Sequence, residues 1–149
     1  MIIFAFKGFR ETPSTVFAPI TNLKAAKAVE QQLTAVSATL SSTYKEDQGA
    51  YNCIDGDTGR WPICHSDNGD WKDHHPWLAL DFGKTIAIQR VEIFNRIDCC
   101  AERTKNDDVY VSEELPTSAN QKFPGGSLLG TFLGPGRAGQ KITISGEDI

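Results

Sequence analysis

"IAIQRVEIFNR", residues 86–96, is the stretch on which the fold turns. Ile88, Val91 and Ile93 are apolar, and Arg90 and Glu92 are interleaved with them. Side chains that alternate with a period of two face a core on one side and water on the other, which is the pattern of a half-buried strand. Similar runs surround it: "WLALDF" (77–82), "DVYVSE" (108–113), "SLLGTFLG" (127–134) and "KITIS" (141–145). Gly and Pro punctuate them in "FPGG" and "GPGRAG". Short strands separated this way favour a sandwich or barrel over a parallel α/β sheet, so the predicted class is all-β.

Upstream the pattern changes. Leu23, Ala26, Leu33, Val36 and Leu40 recur at spacings of three, four or seven, with Ala, Lys, Glu and Gln between them. That predicts an amphipathic helix from Asn22 to about Leu40. Residues 1–20, with Pro13 and Pro19 as breakers, read as irregular. The expected organisation is an N-terminal extension over 1–38, where this helix is placed, and one β domain over 39–149.

The chain has 149 residues, enough for one domain with a real core. Nineteen acidic residues against 15 basic ones give a net charge of −4, which argues against nucleic acid as a partner. No apolar stretch approaches the ~18–20 residues of a membrane span. The start, "MIIFAFKGFRETP", carries no recognisable export signal, since its apolar patch is short and Lys7 and Arg10 follow it. Four cysteines in a small β-rich domain nevertheless fit an oxidised, extracellular framework.

The strand at 86–96 runs into "NRIDCCAERT", residues 95–104. Arg96 and Arg103 bring fork-shaped donors, and Asp98 can brace them by charge-assisted bonds. An arginine held this way is a preorganised donor for neutral hydroxyls. Cys99 and Cys100 are neighbours, and a bond between them would close a strained, tight ring with a flat apolar face. Each could instead pair with Cys53 or Cys64, because four cysteines allow three connectivities. Residues 52–76 form a long stretch with little periodicity, and long loops in compact domains usually serve function. Within it, "NCIDGD" sets Asn52, Asp55 and Asp57 around Gly56, closely spaced oxygen ligands of the kind calcium takes. His65, His74 and His75 fit no standard zinc spacing with the cysteines. A Cys64–His65 nucleophile pair lacks an orienting partner or an oxyanion signature.

Taken together, these residues resemble the F-type lectin (fucolectin) family, a branch of the discoidin-like β-sandwiches. The family's pattern is a His, then Arg-x-Asp, four residues, and Arg or Lys. Here it reads Arg96-Ile97-Asp98, Cys99-Cys100-Ala101-Glu102, Arg103, with His65 upstream. The stretches "SSTY…YNCIDGD", "CHS", "HPWLALDFGKTIAIQRVEIFNR" and "DVYVS" also look like the family's successive strands and loops, so the likeness covers 39–149. It implies a jelly-roll-like sandwich and a lectin site for L-fucose-terminated glycans, with no catalysis. His65, Arg96 and Arg103 would bond the sugar, and Asp98 would hold the arginines. A Cys99–Cys100 disulfide would pack against the sugar, with Trp61 near its methyl group. Asn52, Asp55 and Asp57 would supply part of a stabilising calcium site. The partners implied are fucosylated glycans or glycoproteins outside the cell, and a homo-oligomer would supply avidity.

The chain departs from the family in places. Cys64 matches a family cysteine whose partner lies beyond Ile149, which opens the way to a local Cys53–Cys64 bridge. The family's closing Cys-Glu strand also lies beyond Ile149, so an open sheet edge is expected. The alternative functional reading is a discoidin-type module for another glycan, a protein or a membrane surface.

Overall fold

A computed structural model describes residues 4–6, 32–59, 61–67, 73–117 and 126–146. Their strands are β1 (Phe4–Phe6), β2 (Ser37–Leu40), β3 (Leu78–Asp81), β4 (Arg90–Phe94), β5 (Asp107–Val111), β6 (Ser127–Phe132) and β7 (Lys141–Ser145). Each of the five sequence-predicted strand runs contains or overlaps one of them. The run at 86–96 is trimmed to Arg90–Phe94, where the alternation is strict: Arg90, Glu92 and Phe94 are exposed, Val91 and Ile93 half-buried.

The strands form two layers. One sheet has the order β2-β3-β1-β5-β6, and the other pairs β4 with β7. In the larger sheet β1 runs parallel to β3 and β5, whereas β2–β3 and β5–β6 are antiparallel. The smaller sheet is antiparallel, with Val91 opposite Ile144 and Phe94 opposite Lys141. The core lies between the layers. Leu78 and Val109 from the first meet Ile142 and Ile144 from the second, with Leu40, Leu80, Val91, Ile93, Leu129 and Phe132 packed around them. Val109 is 0% exposed. Close approach of the layers depends on Gly130, where a Cβ would sit 2.8 Å from Ile144 Cγ2. The architecture is therefore the expected all-β sandwich.

Two expectations are corrected. The helix predicted to reach Leu40 does not do so: residues 32–36 are not helical, and Ser37–Leu40 pair with β3 instead. Leu33, Val36 and Leu40 satisfy a helical spacing, but Ala38 and Leu40 also satisfy a strand's period of two. Packing both onto the core while Ser37 and Thr39 face out decides between them. Residues 22–31 of that predicted helix lie outside the described residues. The opening segment is not irregular throughout, since Phe4–Phe6 pair on both sides. A strand between two others satisfies its backbone groups in both directions, which even a three-residue segment can exploit. The segment 1–38 thus contributes β1 and the first residues of β2 to the larger sheet.

Candidate functional site

At the end of β4 the chain leaves the sheet through Asn95, and this residue organises the loop that follows. Asn95 is buried, and its Nδ2 donates to the carbonyls of Ala101 (2.9 Å) and Arg137 (3.2 Å). Its Oδ1 accepts from the Arg96 amide (3.0 Å) and from Thr104 Oγ1 (2.9 Å). One side chain therefore closes the loop 95–104 on itself and ties it to the segment before β7. The Asn95 amide donates to the Gln140 carbonyl (2.9 Å) and the Gly139 amide to the Arg96 carbonyl (3.0 Å), extending the β4–β7 ladder up to the loop. Gly136 has to lack a side chain here, because a Cβ would meet Asn95 Nδ2 at 2.5 Å and the Ala101 carbonyl at 3.0 Å.

The loop holds its polar groups firmly. Asp98 accepts from Arg96 Nε through Oδ1 and from Nη2 through Oδ2, both at 2.7 Å. This two-point fork fixes the plane of the guanidinium, whose side chain is 18% exposed. The hydrogen bonds from Arg96 hold the Asp98 carboxyl far below the usual carboxylate range, and Asp98 in turn raises the Arg96 guanidinium. Cys99 and Cys100 are thiols with Sγ atoms 2.6 Å apart. Cys100 adopts a left-handed conformation, φ 59° and ψ 23°, uncommon for a residue with a Cβ. It leads into a 3₁₀ turn, Ala101–Arg103, that carries Arg103 out to an exposed position.

His65 comes from the other side. A disulfide joins Cys64, its neighbour, to Cys53, with Cα atoms 5.2 Å apart. The His65 amide donates to the Gln48 carbonyl (3.0 Å), and the His65 carbonyl accepts from the Tyr44 amide (3.0 Å). The ring lies tilted against Tyr44, with centroids 5.2 Å apart. Nδ1 is 2.6 Å from the Ser66 carbonyl, so in the neutral ring Nδ1 carries the proton and Nε2 is left as an acceptor.

These parts converge. Tyr44, Lys45, Gln48, Trp61, His65, Arg96, Cys99, Cys100 and Arg103 line one open depression of about 360 Å³. His65, Arg96, Arg103, both cysteines and Trp61 were predicted from sequence as site residues, and all six share this wall. Asp98 stands behind Arg96 as its brace. Trp61 is 52% exposed, an indole on the rim. Sequence reasoning missed Asn95, Tyr44, Lys45 and Gln48. Asn95 carried one signal, a polar amide continuing the buried-face alternation of Val91 and Ile93. The other three carried none, because only the chain's return brings 44–48 beside 61–65.

Asn52, Asp55 and Asp57 lie outside the depression. Asn52 Nδ2 donates to the carbonyls of Asp47 (2.7 Å) and Ile63 (3.3 Å). Asp55 Oδ1 accepts the Asp57 amide (2.8 Å), and Asp57 Oδ1 accepts the Gly59 amide (2.7 Å). The two carboxylates keep further lone pairs of the kind calcium takes, but the Asn52 side chain serves as a donor to the loop. Among the described residues no three His, Cys, Asp or Glu side chains cluster as a metal site. His74 and His75 are exposed and apart from the depression.

The matching of known proteins agrees with this architecture. The sequence model described as "NedA-like, galactose-binding domain", of F5/F8 type C, matches residues 52–132, more than half of the chain. A pentraxin fusion protein of Xenopus laevis is 32% identical over 75 residues, which is 48% of this chain and 17% of that protein. The chain thus spans less than a fifth of the length of this curated relative. No solved structure matches. Among the described residues no helix is long and apolar enough to cross a membrane. With its two-layered strands and its match across 52–132, the chain belongs to the discoidin-like, galactose-binding-like domains of F5/F8 type C.

Proposed function

We propose that the protein is a lectin whose depression takes a terminal L-fucose. The observation that carries this reading is the convergence of His65, Arg96 and Arg103 on the two cysteines. A deoxyhexose presents hydroxyls and a ring oxygen on one edge and a methyl group on another. Arg96 and Arg103 donate to the oxygens, and His65 Nε2 accepts from a hydroxyl. The sulfur face and Trp61 cover the methyl. The depression lies toward the small end of the ~300–1,000 Å³ usual for small-ligand sites. Each net hydrogen bond to sugar contributes about 0.5–1.5 kcal/mol, so one site binds modestly and several copies supply avidity.

Cys53 and Cys64 are already joined, so Cys99 and Cys100 have each other as partners. Their Sγ atoms stand 2.6 Å apart, longer than a bond of ~2.04 Å but in direct contact, so the two sulfurs face each other. In the working protein they form a vicinal disulfide, and the site belongs to an oxidising, extracellular setting. Asp55 and Asp57 would hold calcium through the carboxylate oxygens that their turn bonds leave over, and it would stiffen the loop that leads to His65 rather than touch sugar. No chemistry is done on the ligand.

The test is calorimetric titration of oxidised protein with L-fucose and with D-galactose, with and without chelator. Fucose is expected to bind more tightly, because D-galactose has the opposite ring handedness and carries a polar hydroxymethyl group where fucose has its methyl. Arg103→Ala should weaken fucose binding at least tenfold. Absence of heat with fucose, or undiminished binding by Arg103→Ala, would overturn the reading and favour a module for another glycan or protein.

A further inference from the structure

The wall beside His65 carries a cation that the fucose contacts do not use. Lys45 Nζ lies 5.4 Å from the centre of the Tyr44 ring, within the reach of a cation–π contact. Tyr44 in turn packs on His65. Lys45 thus shares the wall of the depression with Tyr44 and His65. Lys45, Arg96 and Arg103 line the depression, and among the described residues no carboxylate lines it. Glu46, Asp47 and Glu102 are sequence neighbours of these cations but are not part of that wall. Asp98 answers Arg96, while among the described residues no carboxylate pairs with Lys45 or Arg103. A chain with net charge −4 has therefore gathered three cations around one depression, and among the described residues only Arg96 of the three pairs with a carboxylate. Such a cluster raises the local concentration of anions and rewards a negative group placed beside the main ligand.

Resting on the fucose reading above, we infer that the preferred glycan is anionic, with a sulfate ester or carboxylate on the sugar joined to the fucose and read by Lys45. An ammonium is a compact point charge on a flexible stem, which suits an anion whose position varies with the linkage. Because Lys45 is exposed, the gain is small and salt-sensitive.

The experiment compares a neutral fucosylated trisaccharide with its sulfated and sialylated counterparts. Either anion should bind about two- to fivefold more tightly than the neutral sugar in dilute buffer. The advantage should vanish near 1 M salt, where screening acts within ~3 Å. Lys45→Gln should bring the ratio of anionic to neutral affinity close to one, and Lys45→Arg should keep it. Equal affinity for all three sugars, or a ratio unchanged in Lys45→Gln, overturns the inference and leaves fucose recognition standing. Failure of the neutral trisaccharide to bind at all overturns the fucose reading itself.

Discussion

Arg96 and Asp98 show how one pair of side chains sets the pH range of a site. The folded-state Asp98 carboxyl is depressed, chiefly by the hydrogen bonds from Arg96. What a depressed carboxyl contributes is fully present above its unfolded value, ~3.9, and is lost only as pH falls through the folded value. The fork therefore stays intact through neutral and mildly acidic solution. Fucose affinity of Asp98→Asn should fall relative to wild type by a constant factor between pH 5 and 8, with little change in melting temperature, because the pair is partly exposed. A factor that varied with pH across this range would show that Asp98 titrates there. At this scale the Arg96–Asp98 fork was legible in advance, because a carboxylate two residues along a turn can reach back to its guanidinium, whereas no bond from Asp98 to Arg103 accompanies it. Asn95 was harder to read. Its worth lies in four partners, one of which, the Arg137 carbonyl, belongs to a segment 42 residues away.

At the level of elements, strands were readable where alternation coincided with packing. In β4 and β7 the inward residues are Val91, Ile93, Ile142 and Ile144, and the outward ones are mostly polar. Where the same residues satisfied two periods, as in Val36–Leu40, local pattern could not choose, and pairing with β3 did. The loop 95–104 is an element of another kind, held by Asn95 against Gly136. Gly136→Ala pushes a methyl into the Asn95 amide and the Ala101 carbonyl. Overpacking of this sort costs about 1–3 kcal/mol, so urea denaturation should show a loss in that range. Sugar binding should weaken too, since Arg96 and Arg103 stand on the displaced loop.

For the whole molecule, the class was legible and the strand order was not. Parallel pairing of β1 with β3 and β5 joins residues more than seventy positions apart, and nothing in a short "FAF" encodes that. The Cys53–Cys64 bridge is a global device of a simpler sort, closing a loop with a separation of 11 residues. Chain-entropy reasoning gives such a loop about 2–3 kcal/mol. The double variant Cys53→Ser, Cys64→Ser should lose that much stability in denaturant titration. It should also bind fucose less well, because His65 follows Cys64 directly. Wild-type affinity in that variant would show that backbone bonds to 44–48 suffice to hold the imidazole.

The two halves of the depression belong to different layers. His65 hangs from the segment 44–48 that follows β2 in the larger sheet, whereas the arginines extend from β4 in the smaller one. A guest gripped by both acts as a rivet through the laminate. Occupancy should then slow amide hydrogen exchange not only around the rivet but along β4 and β7, whose separation from the opposite layer would tear it out.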